Sequence, residues 1–240
     1  RARSVARGLG DVYKRQGRFI PASNTKLFTT AAAMAELAEL DHEAAEHPTA
    51  LLLAPRPHGA PDLILRGSGD PVLSDDAACQ TDCLKTLADA VSARGVRRIH
   101  AIIADDQLFA DERWGDGWSW NNLPTQWGTA VSALTLNDNT AELTVQPGTH
   151  PGDRPLPRWS ALDEGLTLVN QALTVPDGKP ELSLEKKPGD TRVVLTGTLP
   201  AGGPVQTLKI GLDDPALSAA RHLRSLLRET GIRVQTVQVR

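Results

Sequence analysis

Two residues three apart carry the first chemistry in this chain: Ser23 and Lys26, within Phe19-Ile20-Pro21-Ala22-Ser23-Asn24-Thr25-Lys26-Leu27. A serine hydroxyl is a weak nucleophile until a base takes its proton, and a neutral lysine amine one helical turn away can do so. Ser-x-x-Lys is therefore one route to a covalent acyl-serine. It works only where both side chains share a face, which a helix provides at a spacing of three and a strand does not. Pro21 can stop a preceding strand, and Ser23 lies where an N-cap or first-turn residue belongs. The Ala-rich run from Phe28 to Leu40 then continues as a helix. At its N-terminus the helix dipole favours negative charge developing on serine. Ala31, Ala32, Ala33, Ala35 and Ala38 leave room for close approach from several sides, which suits a buried central helix.

The pair alone also fits a plainer reading, with Ser23 only a cap and Lys26 a solvated first-turn residue. Ser183-Leu184-Glu185-Lys186 repeats the pattern, but Leu182 and Leu184 alternate with polar neighbours at period two. A strand there puts serine and lysine on opposite faces, so this second match is set aside.

Composition narrows the remaining classes. The 240 residues are enough for one large domain or two smaller ones, and 40 % hydrophobic with 23 % charged content is that of an ordinary globular protein. Net charge is -3, and no Lys/Arg stripe is interleaved with aromatics, so nucleic acid is not an expected partner. No apolar run reaches the length of a membrane span. None of the six histidines forms a His-x-x-x-His pair or sits at ligand spacing from a cysteine, so no metal and no cofactor is expected. Cys79 and Cys83 fall inside an expected helix and read as small, partly buried residues, a strained disulfide being the less favoured option. Residues 1–16 are basic and lack an apolar core, so they are not an intact signal peptide. Asp11-Val12-Tyr13-Lys14-Arg15-Gln16 reads as a non-native leader or scar.

Around the Ser-Lys pair, the elements run from helix to sheet. Residues 42–47 are polar and read as a loop, and Thr49 to Ala54 with Leu63 to Leu65 read as a hairpin. Gly67-Ser68-Gly69-Asp70-Pro71-Val72-Leu73-Ser74 is a tight turn whose Asp70 is well placed to receive a cationic group. Asp75 to Arg94 has helical spacing up to Gly95, and Val96 to Ala104 is an apolar strand. Trp118, Trp120 and Trp127 cluster between Gly115 and Trp127 and read as a packing plug rather than a ligand site. Ala130 to Leu136 and Ala141 to Val145 flank Asn137-Asp138-Asn139 as a β-hairpin. Strands follow over Leu166 to Leu173, Leu182 to Glu185, Arg192 to Leu199 and Val205 to Ile210. Asp213-Asp214-Pro215 caps a helix ending at Gly231, and Arg233 to Val239 alternates as a last strand. The class is α+β.

Pro21 to Leu27, Gly67 to Ser74, Gly117-Trp118-Ser119-Trp120 and Ser132-Ala133-Leu134-Thr135-Leu136-Asn137-Asp138-Asn139 occur in this order. In that order they resemble the class C low-molecular-mass penicillin-binding proteins, the D-alanyl-D-alanine carboxypeptidase/endopeptidases, from roughly Gly17 to the C-terminus. The resemblance implies a partial β-lactamase/transpeptidase-like catalytic domain interrupted by a large β-rich inserted region. Residues 17–43 would be its first segment, 44–211 the insertion and 212–240 the start of the return. It also implies Ser23 as the acylated nucleophile, Lys26 as its base and Asp70 as a substrate-binding carboxylate for the amino end of a diamino-acid side chain. Partners implied are peptidoglycan stem peptides and, as covalent inhibitors, β-lactam antibiotics. The location implied is periplasmic or otherwise extracytoplasmic.

The family pattern also needs Ser-x-Asn, usually Ser-Asp-Asn, and a Lys-Thr-Gly strand that with the serine's own N-H builds the oxyanion hole. No Ser-Asp-Asn occurs; Ser119-Trp120-Asn121 matches only formally, and Leu195-Thr196-Gly197 lacks the lysine. The expectation is a chain truncated at both ends and inactive by itself. The alternative is a non-catalytic peptidoglycan-binding or scaffold protein that keeps the fold. A β-lactamase or esterase fits less well, because those families lack the Gly-Ser-Gly-Asp-Pro insertion.

Overall fold

The computed structural model describes residues 22–37, 48–159 and 165–240; the leader at 1–16, Pro21 and the polar loop at 42–47 lie outside them. Contacts divide the chain into two units, Arg1–Glu46 and His47–Arg240.

In the first unit, a 3-10 turn at Ala22–Asn24 runs into helix α1, Thr25–Glu36. Asn24, rather than Ser23, takes the N-cap position, and its side chain makes no capping hydrogen bond. Thr30 Oγ1 donates to Lys26 O at 2.9 Å, the bond to the preceding turn by which a helical threonine satisfies its hydroxyl. The expected burial is not found in the described residues. Leu27, Phe28 and Met34 are 68 %, 77 % and 81 % exposed, and α1 buries none of its residues. Alanines make room for a neighbour but do not supply one.

The second unit opens with the hairpin that its two apolar runs predict. Strand β1, Ala50–Ala54, pairs antiparallel with β2, Asp62–Arg66, with Leu51 opposite Leu65. β2 runs parallel to β3, Arg98–Asp105, whose other edge takes β11, Arg233–Val239, also parallel. Parallel neighbours need a crossover. Helix α2, Leu84–Ala93, lies between β2 and β3 in the chain, and α3, Pro215–Glu229, leads into β11. In α3, Asp214 accepts the Leu217 amide at 3.0 Å and Pro215 stands in the first turn, which stabilises the start of this helix. Its apolar face buries Ala219, Leu223 and Leu227 with Leu63, Leu65, Ile99 and Ile102 of the sheet and Leu84 and Val91 of α2. Each fully buried leucine or isoleucine contributes about 1.5–3 kcal/mol. Within the second unit, Pro215–Glu229 packs on this sheet and Arg233–Val239 forms an edge strand of it.

The β-rich middle forms two further sheets. One has the order β10 (Gln206–Gly211), β4 (Thr140–Gln146), β5 (Leu156–Trp159). The other centres on β9 (Arg192–Pro200), with β6 (Thr167–Asn170) and β7 (Leu173–Val175) parallel to it and β8 (Glu181–Lys186) antiparallel. Leu143, Val145, Leu195 and Leu199 share one core. The single strand expected over Leu166 to Leu173 is two strands. Asn170 interrupts it by accepting the Ala172 amide at 3.1 Å and donating to Pro155 O at 2.8 Å. In β8, Ser183 is exposed while Lys186 is buried and bonds Asp213 at 2.5 Å, so the second Ser-x-x-Lys match has its two side chains apart.

Three expectations are corrected here. Only Leu84–Ala93 of the run from Asp75 to Arg94 is helical, because the segment before it is turned by side-chain bonds such as Ala78 N to Asp76 Oδ1 at 2.7 Å. Cys79 and Cys83 sit in that turned segment and form a disulfide, rather than remaining free thiols in a helix. Residues 130–136 form no strand. Asn137, Asp138 and Asn139 all adopt positive φ, near 49°, 57° and 54°, a left-handed corner that Asn and Asp tolerate better than other side-chain-bearing residues.

Candidate active site

Ser23 and Lys26 stand at the start of α1, three residues apart and both exposed. Because the 3-10 turn leads straight into the helix, their spacing places them on one face. Asn24 makes no side-chain capping bond at this end of α1, where the helix dipole is positive. Chemically, the pair offers a hydroxyl and an amine at a site favouring developing negative charge.

Asp70 belongs to the second unit and is held by backbone geometry that its neighbours dictate. Gly67 N donates to Asp105 O and Gly69 N to Ala133 O, both at 2.9 Å. A side chain at Gly67 would place its Cβ 2.4 Å from the Ala133 carbonyl oxygen, so glycine is required there by close approach. Gly69 has φ +79° and would bring a Cβ to 2.8 Å from the ring of Phe109. Asp70 then makes an isolated parallel bridge with Leu134, and its Oδ1 accepts the Val72 amide at 2.8 Å. Its Oδ2 takes no partner among the described residues, which leaves one carboxylate oxygen available to a cation. The motifs Gly67–Ser74 and Ser132–Asn139 are thus neighbours, laid side by side by these bonds.

Behind Asp70 lies a polar cluster that sequence reasoning missed. His222 of α3 is 1 % exposed and its Nδ1 bonds Asp75 Oδ2. Asn137 Nδ2 donates to Asp75 Oδ1 at 2.6 Å, while Asn137 Oδ1 accepts from Ser74 Oγ at 2.9 Å. Burial alone would raise the Asp75 carboxyl, but the hydrogen bonds from His222 and Asn137 outweigh it and hold the group below its usual 3.8. The cluster ties the end of the Asp70 loop to the Asn corner and to the core helix. Its sequence signal was Asp75 and Asn137 flanking recognised motifs; nothing local singled out His222.

The tryptophan loop is not a packing plug. Trp118, Trp120 and Trp127 are 47 %, 72 % and 79 % exposed. Trp114 alone of this group turns inward, donating its indole N-H to Gly128 O at 2.7 Å. Trp120, Asn121 and Thr125 line an open cavity of about 620 Å³ together with the β8 residues Ser183 and Glu185. Ser119-Trp120-Asn121 lies on this surface in the second unit. Leu195-Thr196-Gly197 lies in β9, where Gly197 meets the Glu181 backbone too closely for a side chain.

Residues 11–239 match the family described as D-Ala-D-Ala carboxypeptidase 3 (S13). A D-alanyl-D-alanine carboxypeptidase from Actinomadura sp. is 32 % identical over 238 residues, covering 94 % of this chain and 42 % of that protein. A penicillin-sensitive carboxypeptidase A from Dictyostelium discoideum is 22 % identical, covering 92 % of this chain and 44 % of that protein. The chain therefore spans less than half the length of these relatives. The crystal structure of penicillin binding protein 4 from Haemophilus influenzae superposes with a TM-score of 0.63 at 20 % identity, over 80 % of this chain and 42 % of that one. Its complex with a β-lactam superposes at 0.51 and 17 % identity, over 79 % and 39 %. At these identities the structural likeness is one of fold.

Proposed function

The chain belongs to the D-Ala-D-Ala carboxypeptidase 3 (S13) family, and from that premise we propose that the whole protein is a serine D-Ala-D-Ala carboxypeptidase/endopeptidase of peptidoglycan, a low-molecular-mass penicillin-binding protein. The observation that carries the reading is Ser23 one turn before Lys26 at the start of α1. In this mechanism Ser23 Oγ attacks the carbonyl carbon between two terminal D-alanines while Lys26 Nζ takes its proton. Collapse of the tetrahedral intermediate breaks the C-N bond, and that proton passes to the leaving amine. Water, deprotonated in its turn, then hydrolyses the acyl-serine ester. A β-lactam ring opens on the same hydroxyl, and its acyl ester persists.

Asp70 is assigned to the ammonium end of the substrate side chain, which its Oδ2, without a partner among the described residues, supports. The Cys79–Cys83 disulfide supports an oxidising location outside the cytoplasm. The Lys-Thr-Gly strand that completes the oxyanion hole beside the serine's own N-H, and the Ser-Asp-Asn motif, do not occur in these 240 residues. We therefore assign turnover to the full-length protein.

Labelling full-length protein with a fluorescent penicillin tests the reading. Wild type should form a stable covalent adduct and Ser23→Ala none. Adduct surviving in the Ala variant removes Ser23 from the role. A folded wild type that takes no label favours the non-catalytic wall-binding alternative.

A further inference from the structure

At the end of the four-stranded mixed sheet away from Asp70, Arg56, His58, Arg97, Arg98 and His100 converge on one open cavity of about 520 Å³. The lining holds three arginines and two histidines and no carboxylate, in a chain whose net charge is -3. Arg56 and His58 come from the loop between β1 and β2, and Arg97, Arg98 and His100 from the start of β3. Nothing in the sequence brings these two segments together; the parallel pairing of β2 with β3 does.

The positive charge is only partly neutralised internally: Asp62 pairs with Arg56 at 3.3 Å and also accepts the Ala101 amide at 3.2 Å, whereas Arg97 has no ion-pair partner among the described residues. Arg98 and Arg233 are cross-strand partners on β3 and β11, a like-charge pairing that destabilises a sheet, and neither has an ion-pair partner among the described residues. His100 Nδ1 is held by Gln235 Oε1 at 2.8 Å, which fixes its ring at the cavity wall.

We infer that this cavity binds a phosphate-bearing ligand. One guanidinium fork satisfies a carboxylate; several forks from different segments match a group with three or more acceptor oxygens and more than one charge. The open cavity leaves room for a phosphate carried on a longer molecule, either a soluble phosphorylated polymer or a phospholipid headgroup. The site is separate from the Asp70 loop. β2 enters at Asp62 beside the cavity and leaves at Arg66 toward Asp70, so roughly 13 Å of strand lies between the two.

The probes are inorganic tripolyphosphate, followed by calorimetry at low ionic strength, and phosphatidylglycerol vesicles, followed by co-sedimentation against phosphatidylcholine vesicles. Wild-type protein should bind at least one. Arg97→Gln and Arg98→Gln should each weaken that binding about tenfold, as expected for loss of a charge-assisted hydrogen bond. Arg56→Gln is the further variant should either of these lose its fold by circular dichroism, and Lys209→Gln on β10 should bind as wild type. Binding of tripolyphosphate alone assigns a soluble ligand, and binding of the anionic vesicles alone assigns a lipid headgroup. The proposal is overturned if neither probe binds wild type, or if the arginine variants bind as tightly as wild type does.

Discussion

His222 on α3 hydrogen-bonds Asp75 across 147 residues of sequence, and through that bond the loop that carries Asp70 is fastened to the core of the second unit. The same carboxylate takes the Asn137 amide on its other oxygen, so three segments meet on one side chain. A half-buried carboxylate with both oxygens bonded holds its surroundings, because releasing either partner leaves a partly desolvated charge.

His222→Ala should therefore lower stability by about 2 kcal/mol, the scale for losing a hydrogen bond to a charged group. Urea unfolding of wild type and variant checks this. An effect under half a unit of kcal/mol would show that the pair is dispensable.

Asp75 also sets an acid limb. Its folded pKa lies below the usual 3.8, so its stabilisation is present above that value and is lost as pH falls through the folded pKa. The stability gap between wild type and Asp75→Asn should be constant from pH 5 to 6 and close on acidification below about 4. Urea midpoints measured across this range would count against the assignment if the gap widened on acidification.

Glycines 67 and 59 should respond differently to alanine. Gly67→Ala drives a Cβ into the Ala133 carbonyl and should cost about 2 kcal/mol or more by overpacking. Gly59 has φ +90° but nothing within 4 Å, so Gly59→Ala meets only the conformational cost of about 1 kcal/mol. Melting temperatures of the two variants give the order.

The Cys79–Cys83 disulfide closes a short loop, and loop closure of that length contributes about 2 kcal/mol. Cys79→Ser with Cys83→Ser should lose this amount in denaturant titrations and should become indifferent to dithiothreitol. A reductant effect that persists in the double variant would place the sensitivity elsewhere.

In the full-length protein, Asp70→Asn should separate binding from acylation. Loss of a charge-assisted bond to a substrate ammonium group should raise KM about tenfold or more for stems with a free amine. Penicillin labelling should remain near wild type, since that ligand need not present the amine. Equal loss in both assays would assign Asp70 to the structure of its loop instead.

What could be read from residues alone was whatever local periodicity and turn chemistry specify. The Ser23–Lys26 spacing, the β1–β2 hairpin, the α3 cap at Asp214 with its stop at Gly231, and the rejection of Ser183 and Lys186 all follow from side-chain directions within a few residues. Local signals failed where a distant partner or a side chain overrode them. Asn170 split one expected strand, a run of left-handed residues removed the hairpin at Asn137, and the tryptophans stayed in solvent. Sequence thus determined the Ser-Lys pair that proposes the chemistry. Only the tertiary structure joined Asp75 to His222 and gathered the arginines at the sheet end, because parallel pairing and helix crossover bring together residues whose separation along the chain leaves no local trace.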